Sequence, residues 1–136
     1  MADDAVAVVE RYLEALRRLD PALLAEISDE EFVFELPFAP DGMPKRVETK
    51  RAMIDFVRPV LAGLWKEIEF PTLEVRAEAD PERVIAQYTS RGTFANGAPY
   101  KQTYVSLFRV RNGKIVYLAE YCDAIALAAG LTPPAG

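Results

Sequence analysis

The chain has no histidine, a single cysteine (Cys122) and no long apolar run. The first absence removes Ser-His-Asp and Cys-His nucleophilic catalysis, together with every imidazole-based metal site. The second excludes an intrachain disulfide and a thiolate zinc centre. No stretch approaches the ~18 apolar residues of a membrane span. Positive charge is also scarce: the net charge of −5 and pI near 4.8 provide no basic stripe for phosphates, so nucleic acid is not expected as a partner. The opening "MADDAVAVVERYLEAL" has two acids where a secretory leader carries basic residues, so a reducing, cytoplasmic setting is expected. Chemistry then falls to carboxylates, tyrosines, hydroxyls and the basic side chains. Neither a bound metal nor a cofactor is expected.

Against those absences stand 51% hydrophobic and 27% charged residues over 136 positions, the composition of an ordinary globular chain. One domain spanning residues 1–136 is expected. Val6, Val9, Leu13, Leu16 and Leu19 recur every three or four residues, which predicts an amphipathic helix over 3–19 with Asp3 or Asp4 near its N-cap. Asp20-Pro21 ends it and opens a second helix, "PALLAEIS". "EEFVFELPF" reads as a strand and "APDGMP" as a loop; Thr49 caps a third helix over 50–63, in which Pro59 predicts a kink or an early stop.

The second half changes period. Residues 66–79, 82–95, 99–111 and 114–123 alternate as strands, separated by the turn signals "ADPE", "ANGA" and "RNG". The tail "AIALAAGLTPPAG" predicts one short helical turn ending at Gly130 and the prolines. Helices first and an antiparallel meander afterwards is an α+β arrangement. Long strands twist, so a curled, cone-like roll is expected, with the three helices covering its concave face.

One residue disturbs the alternation. In the last strand the even side reads Val116, Leu118, Glu120, Cys122, a carboxylate on an otherwise apolar face. Such a group neutralises, finds a partner or serves chemistry, because its charged form is costly to bury. On the same inward alternation lie Tyr104, Ser106 and Phe108, then Tyr88 and Ser90, then Phe34 and Leu36 beside Phe32. Tyr12 lies on the apolar side of the first helix, and Phe56 and Trp65 are placed to pack the core or rim the pocket.

The order of elements, with "VVERYLEAL", "FVFELPF", "VETKRAM" and "YVSLFRVRNGKIVYLAEYCD", is similar to the nuclear transport factor 2-like superfamily. That group includes ketosteroid isomerase, limonene epoxide hydrolase, SnoaL-like polyketide cyclases and the phenazine biosynthesis A/B proteins. The resemblance places Tyr12 at the isomerase's oxyanion-hole tyrosine, Leu36 at its general base and Ser106 at its second oxyanion donor. It places Glu120 on the epoxide hydrolase's last-strand aspartate, with Tyr88 and Ser90 at the paired arginine and aspartate. "KIVYLAEYCDAIALAAGLTPP" resembles the phenazine proteins, whose glutamate acts as acid–base beside a bound ring system, and Glu120 sits on that glutamate.

The resemblance implies a cofactor-independent isomerase or cyclase acting on a hydrophobic or aromatic carbonyl compound. Glu120 and Tyr12 would be its catalytic pair. Tyr88, Ser90, Ser106, Tyr104, Phe34, Leu36, Phe108, Leu118, Phe56 and Trp65 would line the ligand. Two other readings stand beside it: a carboxylate merely satisfied by Tyr12, Tyr88 or an arginine, and a non-catalytic ligand-binding or association module. The odd side of the later strands (Ile85, Val105, Leu107, Ile115, Tyr117, Ala119, Tyr121) has no helix left to cover it, and predicts a homodimer formed through the outer sheet face, with Arg109 and Arg111 at surface or rim.

Overall fold

The computed structural model describes residues 2–131. Helix α1, Ala2–Arg17, starts ahead of Asp3 and Asp4, so both acids lie in its first turn rather than before it. An acid in the first turn is favoured by the positive end of the helix dipole. Helix α2, Pro21–Glu26, has the expected cap: Asp20 accepts from the amides of Ala22 and Leu23, and proline fills the first position. Strand β1, Ser28–Glu35, follows, then a three-residue strand β2, Arg46–Glu48, between the loop "APDGMP" and Thr49, where the sequence predicts no element.

Thr49 accepts from the Ala52 amide and opens α3, Lys50–Gly63. Proline does not stop this helix: Pro59 lies within it, and the buried stripe Met53, Ile54, Val57 and Leu61 runs past it. Strands β3 (Trp65–Ala77), β4 (Arg83–Phe94), β5 (Pro99–Arg111) and β6 (Lys114–Cys122) form the meander. Helix α4, Ala124–Ala128, and a 3₁₀ turn over Ala129–Leu131 close the described chain. Gly130 therefore sits inside the last turn instead of ending it, and the prolines expected to stop it lie outside the described residues.

The six strands form one mixed, curled, unclosed sheet in the order β2-β1-β6-β5-β4-β3. All neighbours are antiparallel except β1 and β6, which run parallel. Curvature is concentrated where β3 crosses β4, with register shifts between Trp65 and Glu67 and between Glu69 and Thr72. Gly92 lies opposite Ile68, and a Cβ added there would meet the Glu67 carbonyl oxygen at 2.2 Å. The missing side chain lets β3 lean over β4. Helices α1 and α3 pack into the resulting hollow, and the core forms between them and the inner sheet face.

A second irregularity corrects the sequence reading. Across the β5–β6 hairpin, Val110 faces Ile115, whereas Arg109 faces Tyr117, so Val116 is a bulge residue. Ile115, expected on the outer face, is fully buried on the inner one. Val116, expected inward with Glu120, is the extra residue at which the alternation resets.

No described helix is long and apolar enough to cross a membrane.

Candidate functional site

Between α1, α3, the start of β3 and the inner sheet face lies a cavity of about 80 Å³. Its walls are apolar for the most part: Phe32, Phe34 and Leu36 from β1 and its end, Met53, Phe56 and Val57 from α3, and Leu127 from α4. The residues with polar groups among its lining are Tyr12, Tyr100, Tyr104, Trp65, Glu120 and Cys122.

Glu120 is the only carboxylate among them. On the β5–β6 ladder it stands opposite Ser106, with Leu118 and Cys122 as inward neighbours along its own strand. The Tyr12 hydroxyl donates to Glu120 Oε2 at 3.1 Å, across 108 residues of sequence. No arginine reaches it among the described ion pairs. Burial raises the Glu120 pKa from 4.5 to about 7, and the Tyr12 hydrogen bond opposes that rise without cancelling it. Burial and the neighbouring carboxylate hold the Tyr12 phenol well above its ordinary value, so it remains a donor throughout the neutral range. The pair is a half-ionised acid held by a permanently protonated phenol.

Cys122 lies beside it, and burial together with Glu120 and Asp123 pushes its thiol up to about 12, which leaves it unreactive.

Of the residues named from sequence, Tyr12, Glu120, Tyr104, Phe34, Leu36, Phe56 and Trp65 come together around this cavity. Tyr88, Ser90, Ser106, Phe108 and Leu118 do not line it. They are buried in the sheet behind it, none more than 3% exposed. Their polar atoms are used there: Tyr88 and Ser106 share a hydrogen bond of 2.8 Å, and Ser90 and Tyr104 another of 2.8 Å. The Tyr88 and Tyr104 rings stack at 4.6 Å, and the Phe108 ring meets Tyr12 edge-on at 5.4 Å. These residues build the wall and hold Tyr12 and Tyr104 in position.

Sequence reasoning missed Tyr100, Met43, Met53 and Leu127 as lining residues. The signal for Tyr100 was available, since it shares the alternation of Tyr104 and Ser106 along β5.

These features coincide with those of a known family. The family model described as a SnoaL-like domain matches residues 9–118. The chain belongs to the SnoaL-like domain family. Its relatives include the Bacillus subtilis protein YesE, itself uncharacterized, which is 30% identical over 126 residues, covering 92% of this chain and 85% of YesE. An uncharacterized PhzA/B-like protein of Pseudomonas aeruginosa is 24% identical over 90% of this chain and 86% of its own. Among solved structures, a Bacillus subtilis protein proposed to be an isomerase superimposes with a TM-score of 0.87 at 29% identity, covering 95% of this chain and 93% of that one. The SnoaL-like chain thus has the cone fold of the nuclear transport factor 2-like superfamily, as its sequence pattern implied.

Proposed function

We propose that this SnoaL-like protein is a cofactor-independent acid–base enzyme, an isomerase or cyclase, acting on a compact apolar carbonyl compound. One observation carries the reading: a single carboxyl, poised near neutrality, faces an apolar cavity and is held by one phenol. At neutral pH the group exists in both forms, the condition under which one residue both removes and returns a proton. The Glu120 carboxylate takes a proton from the carbon next to the substrate carbonyl. The C–H electron pair becomes the C=C bond of an enolate, and the charge moves to oxygen. Protonated Glu120 then gives the proton back, to the same carbon or to a conjugated one. Tyr12 orients the carboxyl rather than the substrate, because its hydroxyl is already directed at Glu120.

Cavity size narrows the substrate. A volume of about 80 Å³ is well below the ~150 Å³ of an apolar cavity that accepts benzene. A single five- or six-membered ring enters only as the methionines lining the cavity, Met43 and Met53, give way; a polycycle does not. The test is deuterium uptake at the α-carbons of cyclopentanone in D₂O, followed by NMR. Glu120→Gln should slow the catalysed exchange by about 10²–10⁴-fold. Equal rates in the two proteins would leave a ligand-binding module rather than an enzyme.

We also propose that two copies pair through the outer sheet face. Val105 there is 37% exposed, and Leu107, Tyr117 and Tyr121 are half-buried, with no element of the described residues over them. Phe38, 60% exposed, packs edge-on against Tyr121 and extends the patch. Arg109, bound to Asp80 and Glu82, borders it. Sedimentation at low micromolar concentration should give a dimer that Leu107→Asp dissociates; a single species of 15.2 kDa in the unmodified protein would refute the pairing.

A further inference from the structure

Two polar clusters of the interior have hydrogens that the fold does not use, and they adjoin each other. The first is the indole of Trp65, which lines the cavity. Its Nε1 is buried and has no hydrogen-bond partner among the described residues. Its ring packs against Tyr100 at 5.8 Å and stacks on Phe94 at 6.4 Å, so the indole is fixed in place rather than free to turn toward solvent.

The second is the hydroxyl chain Ser90–Tyr104–Tyr100. Its two contacts, 2.8 and 2.9 Å, use two of the three hydroxyl protons. The direction of the chain decides where the third proton goes. If the chain ran from Tyr100 to Ser90, the spare proton would end on Ser90, which is 3% exposed and has no other hydrogen-bond partner among the described residues. A donor left unused in a closed wall is costly, because its bond to water is lost and not replaced. Run from Ser90 to Tyr100, the chain leaves the spare proton on Tyr100, a residue that lines the cavity.

From these observations we infer that Trp65 and Tyr100 form a donor-only pole of the cavity that selects a substrate by one hydrogen-bond-accepting oxygen, with Trp65 Nε1–H as the specificity-determining group. Native interiors rarely leave a donor unpaired, and two on neighbouring rings call for one acceptor. The carbonyl or enolate oxygen of the substrate supplies it, while the carbon chain lies against the apolar wall. Unlike Tyr12, these donors do not touch Glu120, so oxygen recognition and proton transfer belong to different residues. The inference builds on the proposed reading of the same cavity but concerns binding alone.

The chain has one tryptophan, so its indole N–H gives a single NMR resonance that reports the donor directly. Two probes of matched shape are added to the unmodified protein: cyclopentanone, which has an acceptor oxygen, and methylenecyclopentane, which has none. Cyclopentanone should move the indole resonance downfield, whereas methylenecyclopentane should leave the N–H unbonded. Trp65→Phe should weaken cyclopentanone binding about fivefold, the size of one hydrogen bond, and leave methylenecyclopentane binding unchanged. Tyr100→Phe should act similarly, and Tyr88→Phe, whose hydroxyl is paired with Ser106, should not. The inference is overturned if cyclopentanone binds without moving the indole resonance, if it does not bind at all, or if Trp65→Phe weakens both probes equally. A moved resonance without α-carbon exchange would retain this donor pole and reject the acid–base role of Glu120. Exchange without a moved resonance would do the reverse.

Discussion

Two hydroxyl-bearing clusters meet in the same apolar interior, on one rung of the β5–β6 ladder, and differ in what burial does to them. Ser106 and Glu120 are directly opposed, yet Ser106 is bound to Tyr88 within the wall while Glu120 meets Tyr12 at the cavity. A buried hydroxyl pair stays neutral at any ordinary pH, so one shared hydrogen bond offsets its desolvation. A half-buried carboxyl has a second option, to lose its charge, and desolvation moves that choice up to about pH 7. The first cluster is therefore structure whose state never changes. The second is a titrating group whose state changes where cells live.

The widest gap between the two clusters is in stability against pH. Glu120 is protonated in both folded and unfolded chains below about pH 4.5, and the folded chain keeps the proton up to about pH 7. Its favourable contribution is thus complete below 4.5 and lost as pH rises through 7, a fall of about 3 kcal/mol. Chemical denaturation of Glu120→Gln at pH 5 and pH 8 should show that this fall has gone, leaving the variant more stable than the parent at pH 8. A parent protein equally stable at both pH values, apart from its surface charges, would mean that Glu120 is not desolvated.

A smaller effect separates the clusters from the other side. Tyr88→Phe leaves Ser106 fully buried without its partner and should cost about 2 kcal/mol at every pH, with α-exchange of cyclopentanone unchanged. A large loss of exchange in that variant would place Tyr88 at the chemistry after all.

The smallest concerns the link between Tyr12 and Glu120. Because the phenol's hydrogen bond lowers the carboxyl's pKa, Tyr12→Phe should raise the apparent pKa of exchange above 7. An unchanged or lowered value would show that the hydrogen bond is not made in solution.

Much of the molecule could be read before its structure. Alternation and turn chemistry placed β5 at residues 99–111 as observed, and the other long strands within two residues. The caps Asp20 and Thr49 marked two helix starts because their oxygens have a definite local task. Glu120 stood out as the one charge on an apolar face. What was not legible depended on distant contacts. Strand β2 is three residues long, too short to show a period, and exists because β1 offers it an edge. Pro59 was a local stop signal overruled by the packing of α3 on both sides of it. Strand alternation also says which side a residue faces, not how deep it lies. Tyr88, Ser90, Ser106, Phe108 and Leu118 face inward as expected, but the hydroxyls among them pair with each other behind the cavity wall.

The bulge at Val116 makes the address of the carboxyl a matter of parity. Counted by twos from the buried Ile115, the inward residues of β6 would be Tyr117, Ala119 and Tyr121, and Glu120 would point to the outer face. The extra residue shifts the count by one, so that Leu118, Glu120 and Cys122 turn inward instead. An asymmetry in tolerance to deletions follows. Losing Val116 straightens the hairpin and leaves every later residue on its present face. Losing Ala119, three positions on, sends Glu120 out of the cavity, although neither deletion removes a group that takes part in the chemistry.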